Sequence, residues 1–354
     1  MKKILQDYSL LELKEQLTEL GIKMPRCRAE QLYRWANEYV SFDQMSNLPK
    51  DVRTQLTDIY NEQPVVIEQE FVSKDGTRKF LFKLADGNLI EGVLMSYKYG
   101  NTICVSTQVG CRMGCMFCAT GLDGMIRNLS AGEILGQVLA VNHYLGGTVE
   151  NRQITNIVLM GCGEPLDNFD NVVKFVELVS ATGGSINISQ RNISLSTCGI
   201  APKIKELADL DLGITLTISL HATTDEFRTK IMKIAKAYSL AELFESIKYY
   251  YDKTGRRIMF EYILLDKNTT IHDARRIKSL CKGLSYHVNL IPINTTPNTK
   301  IQPELKPATK EKTATFWQAL KDNNISATTR RTLGEDIAGA CGQLRRGKLI
   351  DTNN

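Results

Sequence analysis

Nowhere in the 354 residues do 18 uncharged apolar residues follow one another, which excludes a membrane-spanning helix. The opening Met1-Lys2-Lys3-Ile4-Leu5-Gln6-Asp7 has no apolar run of signal-peptide length, so a cytoplasmic location is expected. Histidine is scarce at four residues, and no nearby histidine or second cysteine knuckle follows the tightest cysteine group, Cys111, Cys115 and Cys118. Structural zinc wants four ligands, usually from two knuckles, so its signature is incomplete. A disulfide framework belongs to small secreted domains. The nine cysteines of this longer chain therefore point to ligation and redox chemistry. A net charge of +5 permits a nucleic-acid partner without demanding one. No interface signal stands out, and a monomer is expected.

What is present begins with Cys111-Arg-Met-Gly-Cys115-Met-Phe-Cys118. C-x3-C-x2-C supplies three thiolates to a cluster able to hold four irons, and thiolate is the usual ligand for iron and sulfur. The fourth iron is left open for a small chelating molecule. This spacing, with Phe117 before the last cysteine, resembles the loop of the radical S-adenosylmethionine superfamily.

Around that loop the hydrophobic pattern divides the chain into four parts. Residues 1–62 read as a small helical module, opened by the capping pattern Ser9-Leu-Leu-Glu12 and the stripe Leu10, Leu13, Leu17, Leu20. Alternation over 63–98, with turns at Asp75-Gly76 and Asp86-Gly87, predicts a short β-hairpin bridge. Over 99–325 strands and helices alternate. Strands are expected at 103–106, 154–160, 192–196, 214–220, 257–265 and 287–293, and helices at 130–145, 171–180, 202–208, 240–251, 272–282 and 310–322. Residues 326–354 form a C-terminal segment. The fold class is thus α/β, a parallel sheet curled into a partial or full (β/α) barrel, and the resemblance of the cysteine loop implies a barrel of the radical S-adenosylmethionine type. Active sites of such folds lie at strand ends. Cys111, Gly163-Glu164, Ser196, Ser219-Leu220-His221 and Asn294 all fall at expected strand ends, so one rim collects them.

The residues match one family over nearly the whole chain. Asp86-Gly-Asn-Leu-Ile-Glu91-Gly-Val-Leu-Met, Cys104-Val-Ser-Thr-Gln-Val-Gly-Cys111, Met160-Gly-Cys-Gly-Glu164-Pro-Leu, Ser219-Leu-His221-Ala, Tyr286-His-Val-Asn-Leu-Ile-Pro and Gly339-Ala-Cys341-Gly-Gln-Leu resemble the RlmN/Cfr family of radical S-adenosylmethionine RNA methyltransferases. The resemblance implies methylation of adenosine C2 in 23S rRNA and at adenosine 37 of tRNA, or C8 methylation as in the Cfr branch. C2 of adenine is an electron-poor carbon that cannot attack a methyl sulfonium directly, hence a radical route. By the resemblance, Cys111, Cys115 and Cys118 hold a [4Fe-4S] cluster and two molecules of S-adenosyl-L-methionine are used per turnover. The first methylates Cys341. The second yields a 5′-deoxyadenosyl radical that takes a hydrogen from the S-methyl group, and the resulting carbon radical adds to the base. Cys104 then releases the product by attacking the Cys341 sulfur, a step that needs proximity in space and not in sequence. Glu91 corresponds to the proton acceptor. Gly163 and Glu164 correspond to the segment that receives the amino group of the cofactor, and Ser196, Ser219, Leu220, His221 and Asn294 to its other contacts. An electron donor such as flavodoxin or ferredoxin is also implied.

Taken without the resemblance, several of these residues keep a plainer reading. Cys104 lies in an apolar strand and reads as a core thiol. Glu91 on an alternating strand could face solvent. Arg330, Arg331, Arg345, Arg346 and Lys348 read as phosphate contacts beside Cys341 or as a solvated charged face. A non-catalytic iron-sulfur or RNA-binding protein is the alternative of a different class. Cys162 and Cys198 depart from the family, which usually has methionine and a small serine-like residue there; Cys27 and Cys281 carry no role.

Overall fold

The computed structural model describes residues 2–22, 25–294, 296 and 302–345. The chain opens with β1 (Lys3–Ile4) and continues through α1 (Leu10–Glu19), α2 (Arg26–Glu38), α3 (Lys50–Ile59) and β2 (Tyr60–Asn61). The capping box at Ser9 forms in both directions, Glu12 N donating to Ser9 Oγ at 3.3 Å and Ser9 N to Glu12 Oε2 at 2.7 Å. Of the expected stripe, Leu13 and Leu17 are buried, whereas Leu20, just past the last turn of α1, is exposed. These helices bury their own core of Leu13, Leu17, Leu32, Phe42 and Leu56, separate from the main one.

Next come β3 (Val65–Val72), β4 (Arg78–Leu84) and β5 (Leu89–Tyr97), joined by turns in which Gly76 and Gly87 take positive φ. They do not stand apart as a hairpin. β5 pairs antiparallel with β6 (Gly100–Cys104), so the three strands extend the central sheet. A small ribbon of β7 (Gln108–Gly110) and β8 (Met125–Asn128) frames the cysteine loop.

The remaining elements alternate: α4 (Ala131–Tyr144), β9 (Ile154–Leu159), α5 (Phe169–Ser180), β10 (Ile193–Thr197), α6 (Ala201–Asp209), β11 (Thr215–Ser219), α7 (Asp225–Ile231), α8 (Leu240–Thr254), β12 (Ile258–Leu264), α9 (Ile271–Leu280), β13 (Tyr286–Pro292), α10 (Lys310–Asp322) and β14 (Ala327–Thr329). Among the described residues the sheet runs β14-β13-β12-β11-β10-β9-β6-β5-β4-β3. Every pair from β6 to β14 is parallel. The sheet is open, with β3 and β14 at its edges. Inward residues such as Leu195, Leu216, Ile218 and Phe260 are fully buried, each contributing roughly 1.5–3 kcal/mol by leaving water. The C-terminal strand β14 and the short helix α7 were not anticipated from the periodicity; both are shorter than the windows in which a period shows.

Helix α4 is buried on nearly every face because it lies between the sheet and the N-terminal helices. At Gly132 an added Cβ would come 2.6 Å from Ile4 Cγ2, and Gly132 N donates to Asp7 Oδ1 at 2.6 Å. A glycine is therefore what lets the two units meet.

Candidate active site

The strand ends from β9 to β14 open into one cleft with about 1050 Å³ of space. Its wall includes Cys111, Cys115 and Cys118. The ribbon delivers Cys111, whose N–H donates to Gly124 O at 3.1 Å; Cys118 N donates to Cys115 O at 3.1 Å and closes the turn between the other two. Met116 N donates to Ile231 O at 2.8 Å and Ala119 N to Gly342 O at 2.7 Å, so the loop is pinned to α7 and to the C-terminal segment. Burial, then the nearby Cys118 sulfur, push the Cys111 thiol up to about 12. Burial and the other two sulfurs also raise Cys115. Thiols crowded together resist ionisation, and a bound metal would displace their protons. Among the described residues no three thiol, imidazole or carboxylate groups are placed to hold a single metal ion. What the loop offers is three thiols on one open cleft, which suits a cluster.

Opposite partners come from the next strands. Cys162 O accepts from Thr107 N at 2.8 Å and Gln108 N at 3.1 Å, and Glu164 N donates to Gln108 Oε1 at 3.0 Å, lacing the loops after β6 and β9. Gly163 has φ +112°, and an added Cβ would lie 2.7 Å from Thr107 Oγ1, so no side chain fits. Glu164 is buried, its two oxygens accepting from Leu166 N at 3.0 Å and Cys198 N at 2.8 Å. Burial raises its pKa against the pull of those N–H groups. Ser196 and Ser219 line the same cleft.

His221 sits in the left-handed region at φ +57°. Its Nδ1 accepts from Ile263 N at 3.2 Å, which puts the proton of a neutral ring on Nε2. Phe117 stands edge-on to it with ring centroids 4.8 Å apart. Burial, then Arg228, hold its pKa down to about 3, so this imidazole is neutral at ordinary pH and no proton carrier. Asn294 Nδ2 donates to the carbonyl of Cys341 at 2.9 Å, and Cys341 itself lines the cleft.

Three expected site residues stand off this wall. Leu220 is buried in the main core and only its neighbours face the cleft. Cys104 lies behind, in a small apolar cluster with Val93, Cys162 and Leu344; burial, then the neighbouring Cys341 sulfur, push its thiol up to about 12. Glu91 is buried too, paired with Lys79 at 3.1 Å, and its Oε2 accepts from Arg345 N at 2.8 Å. It thus grips the chain just beyond Cys341.

Glu261 and Arg330 complete the lining and form an ion pair at 3.1 Å. Glu261 drew no attention in the sequence, although a carboxylate inside the apolar run Ile258-Met-Phe-Glu261-Tyr-Ile-Leu264 was a signal. Arg330 is committed to that carboxylate, and Arg345 to Asp123 at 2.5 Å, so neither is the free phosphate contact expected of the basic group. Arg331 is exposed; Arg346 and Lys348 lie outside the described residues.

Residues 105–281 match the model of the Radical SAM superfamily. The crystal structure of a radical SAM methyltransferase from Sphaerobacter thermophilus aligns with a TM-score of 0.90 at 40% identity, covering 98% of this chain and 100% of that one. The fold is therefore that of a radical SAM protein. Residues 4–61 match the ribosomal RNA large subunit methyltransferase N-terminal domain. The probable dual-specificity RNA methyltransferase RlmN of Clostridium perfringens strain 13 is 51% identical over 353 residues, 99% of this chain and 98% of its own length. Its namesake in Clostridium botulinum strain Alaska E43 is 51% identical over 352 residues, again 99% and 98%. The chain belongs to the RlmN family. Membership implies a [4Fe-4S] cluster and S-adenosylmethionine, and the thiol loop, Gly163 and Glu164 fit them.

Proposed function

We propose that this protein methylates C2 of adenosine in 23S rRNA and at position 37 of tRNA, with Cys341 as the carrier of the methyl group. The observation that carries this is the placement of Cys341. Its carbonyl is held by Asn294 and the next residue by Ala119, so the cysteine shares one cleft with the cluster thiols. When bound, the cluster and S-adenosylmethionine supply one-electron reductive cleavage and the methyl group.

The chain's own residues then have these roles. Cys111, Cys115 and Cys118 ligate the cluster. Glu164 and the bare backbone at Gly163 receive the amino group of S-adenosylmethionine, while Ser196, Ser219 and the segment through Leu220 and His221 orient its remainder, aided by Asn294. Cys341 holds the methyl as a thioether and delivers its carbon to the base. Cys104, adjacent to it, attacks the Cys341 sulfur as the thiolate; the carbon–sulfur bond to the product breaks with its electron pair going to carbon, which takes a proton from water to complete the methyl group, and a Cys104–Cys341 disulfide forms. Glu91 takes the C2 proton. Since its oxygens hold Lys79 and Arg345 N, that role requires the segment after Cys341 to lift. The target base must leave its stack to enter the cleft. An external electron donor such as flavodoxin or ferredoxin completes the cycle and reduces the disulfide, and the chain acts as a monomer.

The test is anaerobic reaction of the reconstituted protein with unmodified 23S rRNA and tRNA, followed by digestion and chromatography against 2-methyladenosine and 8-methyladenosine. The expected product is 2-methyladenosine from both RNAs. Product at C8 alone overturns the regiochemistry; no product, with an intact cluster, overturns the activity.

A further inference from the structure

Among the described residues, no group hydrogen-bonds to one oxygen of the Glu261 carboxylate. Oε1 accepts from Asn289 Nδ2 at 3.1 Å and from Arg330 Nη1 at 3.1 Å. Oε2 is buried and has no hydrogen-bond partner among the described residues. The residue is 3% exposed and lines the cleft. A desolvated carboxylate oxygen left unpaired is unfavourable, and such an atom in a native fold signals an absent water or ligand group. No role assigned above uses it.

Its position narrows the donor. On β12, Glu261 is in register with Ser219 of β11 on one side and Asn289 of β13 on the other. Its carbonyl accepts from Leu220 N at 3.1 Å and His221 N at 3.3 Å. It therefore lies beside the Ser219–His221 segment. Arg330 already balances its charge, so the second oxygen suits a neutral O–H donor better than another cation.

We infer that Glu261 Oε2 accepts a hydrogen bond from a ribose hydroxyl of S-adenosylmethionine, with Arg330 and Asn289 as positioning residues that clamp the carboxylate by its other oxygen. This rests on the reading that the cleft takes S-adenosylmethionine. Of the two nucleosides that would then enter, the cofactor is favoured because Glu261 adjoins the strand end that carries its expected contacts.

The test is anaerobic calorimetric titration of the cluster-reconstituted wild type and Glu261→Gln with S-adenosylmethionine and its 2′-deoxy and 3′-deoxy analogues. In the wild type one deoxy analogue should bind roughly 10- to 100-fold more weakly, the range for a hydrogen bond to a charged group. In Glu261→Gln the parent should weaken and the same deletion should then cost several-fold less than in the wild type, since a neutral amide replaces the charged acceptor. Equal binding of all three ligands to the wild type overturns the inference and leaves water at Oε2. The same hydroxyl dependence persisting in Glu261→Gln also overturns it, because the residue would then act only on structure. If the variant does not fold, Glu261→Asp, which withdraws the carboxylate by one methylene, takes its place in the same series. A parallel arm uses RNA with 2′-deoxyadenosine at the target; a Glu261-dependent loss there instead assigns the oxygen to the substrate and overturns the cofactor assignment. A wild type whose cluster spectrum is unmoved by S-adenosylmethionine overturns the underlying reading itself.

Discussion

Ala119 N donates to Gly342 O at 2.7 Å, tying the residue after Cys118 to the residue after Cys341. The loop that would hold the cluster and the cysteine that would carry the methyl group are thus one hydrogen-bonded unit. A small shift of the C-terminal segment is felt at the thiols.

Cys341→Ala is expected to abolish RNA methylation while the cluster still assembles with its absorbance unchanged. Cys104→Ala should instead trap RNA on the protein, visible as a slow band on a denaturing gel. Methylated RNA from Cys341→Ala would remove the carrier role altogether.

The Cys104 thiol, pushed up to about 12 by burial and the neighbouring Cys341 sulfur, is protonated at neutral pH, and the thiolate is the attacking species. Release of RNA from the wild-type adduct should therefore accelerate about tenfold per pH unit between roughly pH 7 and 9, where the thiolate fraction grows in proportion. Single-turnover quenching of the adduct measures this. A flat profile would show that a neighbouring base has already taken the proton.

His221 has a pKa lowered to about 3 by burial and then by Arg228, against an ordinary value of about 6.5. The unfolded chain binds this proton more readily, so the stability involved is complete above about pH 6.5 and is lost as pH falls toward 3. The loss should reach about 2 kcal/mol at pH 5. His221→Asn, which tolerates the left-handed backbone, should flatten the acid slope of the thermal midpoint. An unchanged slope would assign the acid sensitivity to other groups.

Lys79 and Glu91 are a buried pair, with side chains only 6% and 11% exposed. Glu91→Gln leaves the ammonium without its counter-charge and should cost about 3–5 kcal/mol in denaturant unfolding. Adding Lys79→Met should recover much of that stability while methylation stays lost. Activity returning with stability would make Glu91 a structural anchor and not the proton acceptor.

Much of this site was legible because covalent spacing and local periodicity act within a few residues. C-x3-C-x2-C, the capping box at Ser9 and the strand-helix alternation depend on neighbours alone, and the strand ends then placed Gly163, Ser196, Ser219 and Asn294 on one rim. Glu261 escaped notice because a carboxylate in an apolar strand gains meaning only when Asn289 and Arg330 arrive from later strands. Arg330 and Arg345 resembled free cations because their partners, Glu261 and Asp123, are distant in sequence.

The sequence by itself determined the thiol loop, the α/β alternation and the family, since each is written in residue type and spacing. Only the tertiary structure decided that 63–98 joins the central sheet, that His221 is neutral, that Glu91 grips the segment after Cys341, and that one oxygen of Glu261 waits for a donor. The physical reason is that pairing, desolvation and charge compensation are set by what packs around a group, and in this chain those neighbours come from strands up to hundreds of residues apart.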